Sequence, residues 1–281
     1  MKSIHIVERT LPAAWEKAVL ACWREGDPFP TQYDKPHDPR SRDVLALIHV
    51  TEPLAEPRIH RAFPGGPADL EKYRAEVLYG VHDHWIDPAA GKWEYTYHQR
   101  LFAYRLPGPD GPVYNQIERC AAMLRECGFT RRAQAVTWQV WQDLGICDPA
   151  CLQRLWFRVQ DGRLNMVAHM RSNDAFKAAF MNMYAFIELQ REVARAIGVP
   201  VGEYCHVADS FHIYGSYFAE FEGFLKLVEK RPPEERVWNW SWGLEMFIEG
   251  CDALLAEPDM PADKRRVIED RRRMLRDMSI T

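Results

Sequence analysis

Residues 151–196 constrain the fold more than any other stretch of this 281-residue chain. Two apolar runs, CLQRLWFRV and RLNMVAHMR, flank Gln160-Asp161-Gly162. An Asp-Gly pair between such runs predicts a β-hairpin. From Asp174 to Ala196 the pattern is helical and apolar on several sides, as expected of a helix buried at the centre of a fold. A hairpin leading into a central helix calls for a sheet that the helix can pack against.

The rest of the chain supplies more of both element types. PAAWEKAVLACWREG reads as a helix ended by its glycine, and residues 27–40, with four prolines, as an extended loop. DVLALIHV reads as a buried strand, and ADLEKYRAEVLYG as a helix with Leu70, Tyr73, Val77 and Leu78 on one face. A helix follows at 115–127, then a β-rich run, AQAVTWQVW. GEYCHVADSFHIYG reads as a strand, YFAEFEGFLKLVEK as a helix, RVWNWSWG as a strand by its alternation, and charged helices close the chain. Helices and strands mix without βαβ alternation, and no Gly/Ser linker divides them. The expected architecture is α+β, one domain over 1–281 with a large mixed sheet packed by helices.

Bulk chemistry narrows the class. A net charge of −4 gives no general attraction to nucleic acid or to anionic membranes, so any anion site must be local. No apolar run approaches the roughly 20 residues that span a bilayer, and MKSIHIVERT lacks a signal-peptide core. Seven cysteines without repeating spacing suggest reduced thiols and a cytoplasmic location. His82-Asp83-His84 and Cys147/Cys151 lack companion ligand pairs, so no metal is expected and solvated loop or core suits them better. Trp138, Trp141 and Trp156 read as core.

Cys151 is a candidate nucleophile if positive charge lowers its pKa, and Arg131, Arg132, Arg154 and Arg171 come within reach if the strands pair. It is equally a small buried hydrophobe, the commoner fate of a free cysteine. Arg171 and Ser172 offer donors to an anion such as phosphate. Asp174 is either an acid in that site or the cap of the following helix. Asn182, inside an apolar helix, needs partners and suits a pyrimidine edge or a backbone group. His212 and Tyr214, two apart on a strand, can hold a sugar hydroxyl or cap the core. Glu76, beside Val77 and Leu78, is either a partly buried proton carrier with a raised pKa or the partner of an arginine.

Taken in order, AEVLYG, YTYHQR, NQIER, TRRAQAVTWQ, DPACLQRLWFRV, RSNDAFKAAFMN and HVADSFHIY resemble the thymidylate synthase family, which includes the pyrimidine-nucleotide hydroxymethylases. The similarity covers a core of about 70–220. The resemblance implies that Cys151 adds to carbon 6 of the pyrimidine of a nucleoside monophosphate, and that carbon 5 then takes the one-carbon unit of 5,10-methylenetetrahydrofolate or a related methylene-pterin. Glu76 is the implied proton carrier. Tyr95 is the tyrosine near the thiol, with Tyr97 as its competitor. Arg171 and Ser172 are phosphate ligands, and Asp174 and Asn182 contact the base. His212 and Tyr214 contact the sugar. Arg131 and Arg132 reach the phosphate from the neighbouring subunit of a homodimer whose sheets form the interface.

Three departures from the family pattern bear on the product. Leu152 stands where a histidine is usual, Met170 where a glutamine is, and RRMLRDMSIT does not resemble the apolar closing tail. Admitted water would give a hydroxymethyl product in place of methyl. Asn182 favours uracil, because an amide pairs with both its carbonyl and its N–H. Methylation of dUMP is the first expectation, with hydroxymethylation of dUMP, dCMP or CMP second. A non-catalytic nucleotide-binding homologue is the third, although a pure binder needs no thiol.

Overall fold

The computed structural model describes residues 1–108 and 110–279. In chain order the elements are β1 (Ser3–Glu8), α1 (Leu11–Glu25), β2 (Asp27–Phe29), β3 (Ser41–Val50), β4 (Ile59–His60), α2 (Pro67–Tyr79), α3 (Tyr97–Phe102), β5 (Tyr104–Arg105) and β6 (Val113–Tyr114). They continue with α4 (Gln116–Glu126), β7 (Gln134–Val136), α5 (Val140–Asp143), β8 (Leu152–Gln160), β9 (Arg163–Met170), β10 (Asn173–Asp174) and α6 (Ala179–Ile197). The last are β11 (Val201–Ile213), α7 (Phe218–Lys230), β12 (Val237–Trp238), α8 (Leu244–Leu255) and α9 (Ala262–Ser279).

The main sheet runs β1-β3-β11-β9-β8-β7, with β2 added to β3 and β10 to β11. It is mixed: β1/β3 and β9/β11 are parallel, whereas β3/β11, β8/β9 and β7/β8 are antiparallel. The β8–β9 hairpin turns at Asp161 and Gly162, both with positive φ (50° and 72°), the conformation that two-residue hairpin loops require.

One sheet face carries the core. Val44, Ala46, Ile48 and Val50 of β3 and Leu164, Met166, Ala168 and Met170 of β9 are buried beneath α1 and α6. Helix α6 sinks almost all of its first eleven residues into this layer, as its all-round apolar pattern requires. The alternate residues Leu45, Leu47, Val167, Val207, Cys205 and Trp156 are half-buried on the opposite face, which no helix among the described residues covers.

Three readings need correction. RVWNWSWG is a strand only at Val237–Trp238 and then winds into a 3₁₀ turn at Trp240–Gly243, where the Trp240 indole reaches the Tyr184 hydroxyl. AQAVTWQVW pairs as a strand only over Gln134–Val136, because Thr137 and Gln139 are drawn into contacts with β8 and Asp143. The three tryptophans expected in the core lie at its margins, with Trp141 45% exposed.

Two β-bulges shape one end of the sheet. The β8/β9 register slips between Leu152 and Arg154, and the β3/β11 register between Ala208 and Phe211. Bulges re-aim side chains and are frequent beside active sites. Both lie at the end where β8 begins and β9 and β11 finish. Gly215 passes so close to the Pro39 carbonyl that a Cβ there would sit 1.7 Å from the oxygen. That close approach holds the proline-rich loop 30–40 over the same sheet end.

Candidate active site

At the bulged end lies a cleft of about 830 Å³. Its floor carries Cys151, Arg171, Ser172, Ser210, His212 and Tyr214, and the loop from Asp27 to Tyr33 forms its outer wall. The hairpin explains the meeting of Cys151 and Arg171, twenty positions apart. Leu152 pairs with Met170, so the residues just outside that pair are neighbours, and the Arg171 N–H donates to the Cys151 carbonyl at 2.8 Å.

The thiol is held by its backbone. Its N–H donates to the Tyr95 hydroxyl at 3.3 Å, and the Leu152 N–H to the Tyr97 hydroxyl at 3.2 Å. Both tyrosines that competed on sequence therefore stand here. Tyr97 is half-buried against the core; Tyr95 lines the neighbouring space and also acts on the thiol. The Arg100 guanidinium lies 5.5 Å over the Tyr95 ring and is fixed by Asp143 at 2.9 and 3.0 Å. Burial pushes the Cys151 thiol up; Arg171 and Tyr95 oppose that rise, and Asp148 adds to it. The resting group is a thiol, with one guanidinium beside it to favour the thiolate.

Arg171 is aimed by the chain around the thiol. Its Nε donates to the Ala150 carbonyl at 3.1 Å and its terminal nitrogen to the Pro149 carbonyl, with Asp148 at 4.0 Å. Ser172 lines the cleft beside it. His206 secures the next residue. Its Nε2 meets the Asn173 side-chain oxygen at 2.8 Å, and its Nδ1 meets the Tyr204 hydroxyl at 2.8 Å, all in the core.

Asp174 is not the cap of α6, whose N-cap is Ala178, but is spent on the turn that leads into it. One carboxylate oxygen accepts the Phe176 and Lys177 N–H groups at 3.0 and 2.9 Å, and the other accepts the Tyr217 hydroxyl. Asn182, on the buried face of α6, accepts the Tyr73 hydroxyl at 2.5 Å. His212 presents Nδ1 to Ser210 at 3.1 Å, and its buried Nε2 has no protein partner. Burial pushes its pKa down despite Asp174 and Asp43, so the ring is neutral. Tyr214 stands edge-on to it at 4.5 Å, with its hydroxyl pushed up to about 12 by burial and Asp174.

A second cleft, about 470 Å³, adjoins the first, and Asp148 lines both. Tyr73, Glu76, Trp93 and Tyr95 form its walls. Glu76 is paired there, not with an arginine but with His82, whose Nδ1 lies 3.1 Å from its carboxylate. Within His82–His84 the solvated-loop reading fails at His82, which is 7% exposed and stacked on Trp85, and holds at His84, which is exposed.

Three of the four arginines expected near the thiol lie away from it. Arg131 and Arg132 precede edge strand β7 and are exposed, and Arg154 is exposed on the uncovered sheet face, 3.4 Å from Gln134. Within one chain the thiol's cleft is lined by Asp27, Asp43, Asp148 and Asp209 against the single guanidinium of Arg171. Sequence reading missed Ser210, whose hydroxyl donates to Asp43, and Tyr73. Ser210 has the parity of His212, and Tyr73 lies one turn before Glu76 on α2. Those are weak signals, and only the β11 bulge and the docking of α2 on α6 give them meaning.

Residues 70–238 match the family model described as "Thymidylate synthase". A Methanocaldococcus jannaschii protein named "Putative thymidylate synthase" is 29% identical over 215 residues, 74% of this chain and 90% of that protein. A Methanopyrus kandleri protein of the same name is 31% identical over 207 residues, 73% of this chain and 90% of its own. A third, from Methanococcoides burtonii, is 27% identical over 224 residues, 80% and 95% of the two chains.

Proposed function

Because the chain belongs to the thymidylate synthase family, we propose that it transfers one carbon to carbon 5 of a pyrimidine nucleoside 5′-monophosphate, with dUMP methylation as the leading case. One observation carries the reading: Cys151 opens into a cleft with Arg171, Ser172, His212 and Tyr214, and Tyr95 grips its backbone. A pure binding site has no need of the sulfur.

In the proposed chemistry the Cys151 sulfur bonds to carbon 6, and the electron pair of the ring double bond moves toward carbon 5 and the neighbouring oxygen. Carbon 5 bonds to the incoming carbon and then loses its proton. The electron pair so released breaks the bond from that carbon to its donor nitrogen, and hydride or water adds to the exocyclic methylene left on the ring. Expulsion of the thiolate re-forms the ring double bond. Arg171 favours the thiolate form of the sulfur as it attacks and as it leaves. Glu76, in the adjoining cleft, takes and returns protons. Tyr73 donates to one lone pair of the Asn182 oxygen, leaving the other lone pair and the amide N–H groups for the N–H and carbonyl of a pyrimidine edge.

The second cleft fits a pterin on its own surfaces: Trp93 is 38% exposed and faces a space shared with Tyr95 and Glu76. Bound methylenetetrahydrofolate supplies the carbon and, for a methyl product, two electrons, whereas water as the last reactant gives hydroxymethyl.

A homodimer belongs to this reading. One guanidinium among four carboxylates is a poor seat for a phosphate dianion. A second copy laid against the uncovered sheet face would bring Arg131 and Arg132 as further forks. The half-buried Leu45, Leu47, Val167 and Val207 give that face the apolar character of an interface.

The test is release of tritium from carbon-5-labelled dUMP, dCMP or CMP with methylenetetrahydrofolate, with product mass read in parallel. Release that is lost in Cys151→Ser supports the proposal, and a methyl product supports its leading case. A hydroxymethyl product replaces the methyl reading. No release from any of the three nucleotides overturns the enzyme.

A further inference from the structure

The contact that this reaction leaves unused lies behind Glu76. His82 sits between two carboxylates: Nδ1 is 3.1 Å from Glu76, and Nε2 is 3.3 Å from both oxygens of Glu257. A neutral imidazole has one N–H and would present a lone pair to one of them. Two carboxylate contacts from opposite ring nitrogens call for two N–H groups, hence a charged ring. Its surroundings agree. Burial alone would lower its pKa, but Glu76 and Glu257 outweigh it and the net shift is upward. The ring is stacked on Trp85 with centroids 3.9 Å apart and meets Trp93 edge-on at 5.7 Å, which fixes its plane.

Three charged neighbours among the described residues are engaged elsewhere. Neighbouring Asp83 is taken by Thr96 and His98, at 2.5 and 2.6 Å. Asp259 is taken by the Trp85 indole at 3.0 Å and by His84 at 3.3 Å. Arg265 turns to main-chain oxygens, those of Leu255 and Glu257. Glu257 and Asp259 both belong to the turn between α8 and α9, beyond the segment 70–238 that matches the family model.

We propose that His82, charged and held by Glu257, is a positioning residue that keeps Glu76 turned toward the substrate cleft, so that the α8–α9 turn supports the proton carrier of this enzyme. The inference rests on Glu76 acting as the reading above has it. When His82 loses its proton, Glu76 loses both that charge and the donor that orients it. Activity therefore holds below the His82 pKa and falls as pH rises through it.

His82→Gln keeps a donor but no charge, and Glu257→Gln keeps the ring but removes the charge that sustains it. In His82→Gln, kcat should fall by roughly 10- to 100-fold, a part of what general acid–base catalysis supplies. KM for the nucleotide should stay within about twofold, and the alkaline limb of the kcat profile should be lost. In Glu257→Gln the same limb should move toward neutral pH. A role in packing alone leaves the limb in place in both variants, and that result overturns the proposal.

A titration of the imidazole by NMR in the ligand-free protein separates this test from the reaction. Both His82 nitrogens should be protonated at pH 6 and lose a proton only above the ordinary histidine range, earlier in Glu257→Gln. A His82 ring that is neutral at pH 6, or indifferent to Glu257, overturns the inference even if tritium is released. If no tritium is released, the titration still decides whether His82 is charged and held, while the reading of Glu76 falls with the reaction.

Discussion

Removing Arg271 tests how the C-terminal helix is tied to the helix that carries Tyr73 and Glu76. Arg271 of α9 donates to both oxygens of Glu71 on α2, at 2.8 Å each. Glu71 is fully buried, and its other partner, Arg74 at 3.0 Å, is shared with Glu188. Arg271→Met takes away a bidentate fork and leaves a buried carboxylate with one divided counter-charge. Breaking such a pair from one side costs about 3–5 kcal/mol, a large share of the roughly 5–15 kcal/mol that holds a domain together. For a chain of this size that is a fall of roughly 6–15 °C in melting temperature. Arg271→Lys keeps the charge but not the fork and should lose about 1–2 kcal/mol. Adding Glu71→Gln to Arg271→Met should recover at least about 0.5 kcal/mol, because the stranded charge is then gone. Denaturant melts of wild type, Arg271→Met, Glu71→Gln and the double variant supply the cycle. A cost below about 1 kcal/mol for Arg271→Met, or strict additivity in the double variant, would refute the reasoning, since it would mean that Glu71 is not dependent on α9.

Cys151→Ser should lower turnover by on the order of a thousandfold or more, with nucleotide affinity by calorimetry nearly unchanged. Tyr73→Phe strands the Asn182 oxygen, at about 1–3 kcal/mol; kcat/KM for the nucleotide should drop roughly tenfold, read from initial rates. Stability should also fall on the acid side. Burial, with His169 nearby, pushes the pKa of His206 down to about 3 in the fold from an ordinary 6.5. The unfolded chain therefore takes up a proton first, and stability, intact above pH 6.5, declines toward pH 3 by up to about 1.4 kcal/mol per unit. Glu188, for which Arg58, Arg191 and Arg74 outweigh burial and bring the pKa down to about 2, adds a decline of the same sign below pH 4.5. Melts of wild type and His206→Gln at pH 7 and pH 5 check it: the variant should lose less on acidification, and equal losses would refute the assignment.

The parts of this molecule that could be read from sequence are those whose determinants are local or separated by one regular element. Asp161-Gly162 sets the hairpin, the hairpin sets the Leu152–Met170 pair, and that pair puts Arg171 beside Cys151. The α+β architecture and the buried α6 follow from periodicity alone. The same logic fails where a side chain's partner comes from far along the chain. RVWNWSWG alternates like a strand but breaks at Trp240, whose partner Tyr184 is 56 residues away. Arg154 has the spacing to join the thiol, yet strand alternation and the β8 bulge turn it to the uncovered face. His82 has the weakest local signal of all, a histidine in a polar triplet, and its second carboxylate lies 175 residues on. Periodicity carries no information about such a contact, because neither residue's own element depends on it. It depends on α8 and α9 docking against α2, and the Arg271–Glu71 fork is one of the ties that hold that docking. If the fork is cut, the turn that bears Glu257 loses its register against His82. Loss of stability and a shifted alkaline limb should then appear together in Arg271→Met, although Arg271 touches neither Glu76 nor the cleft.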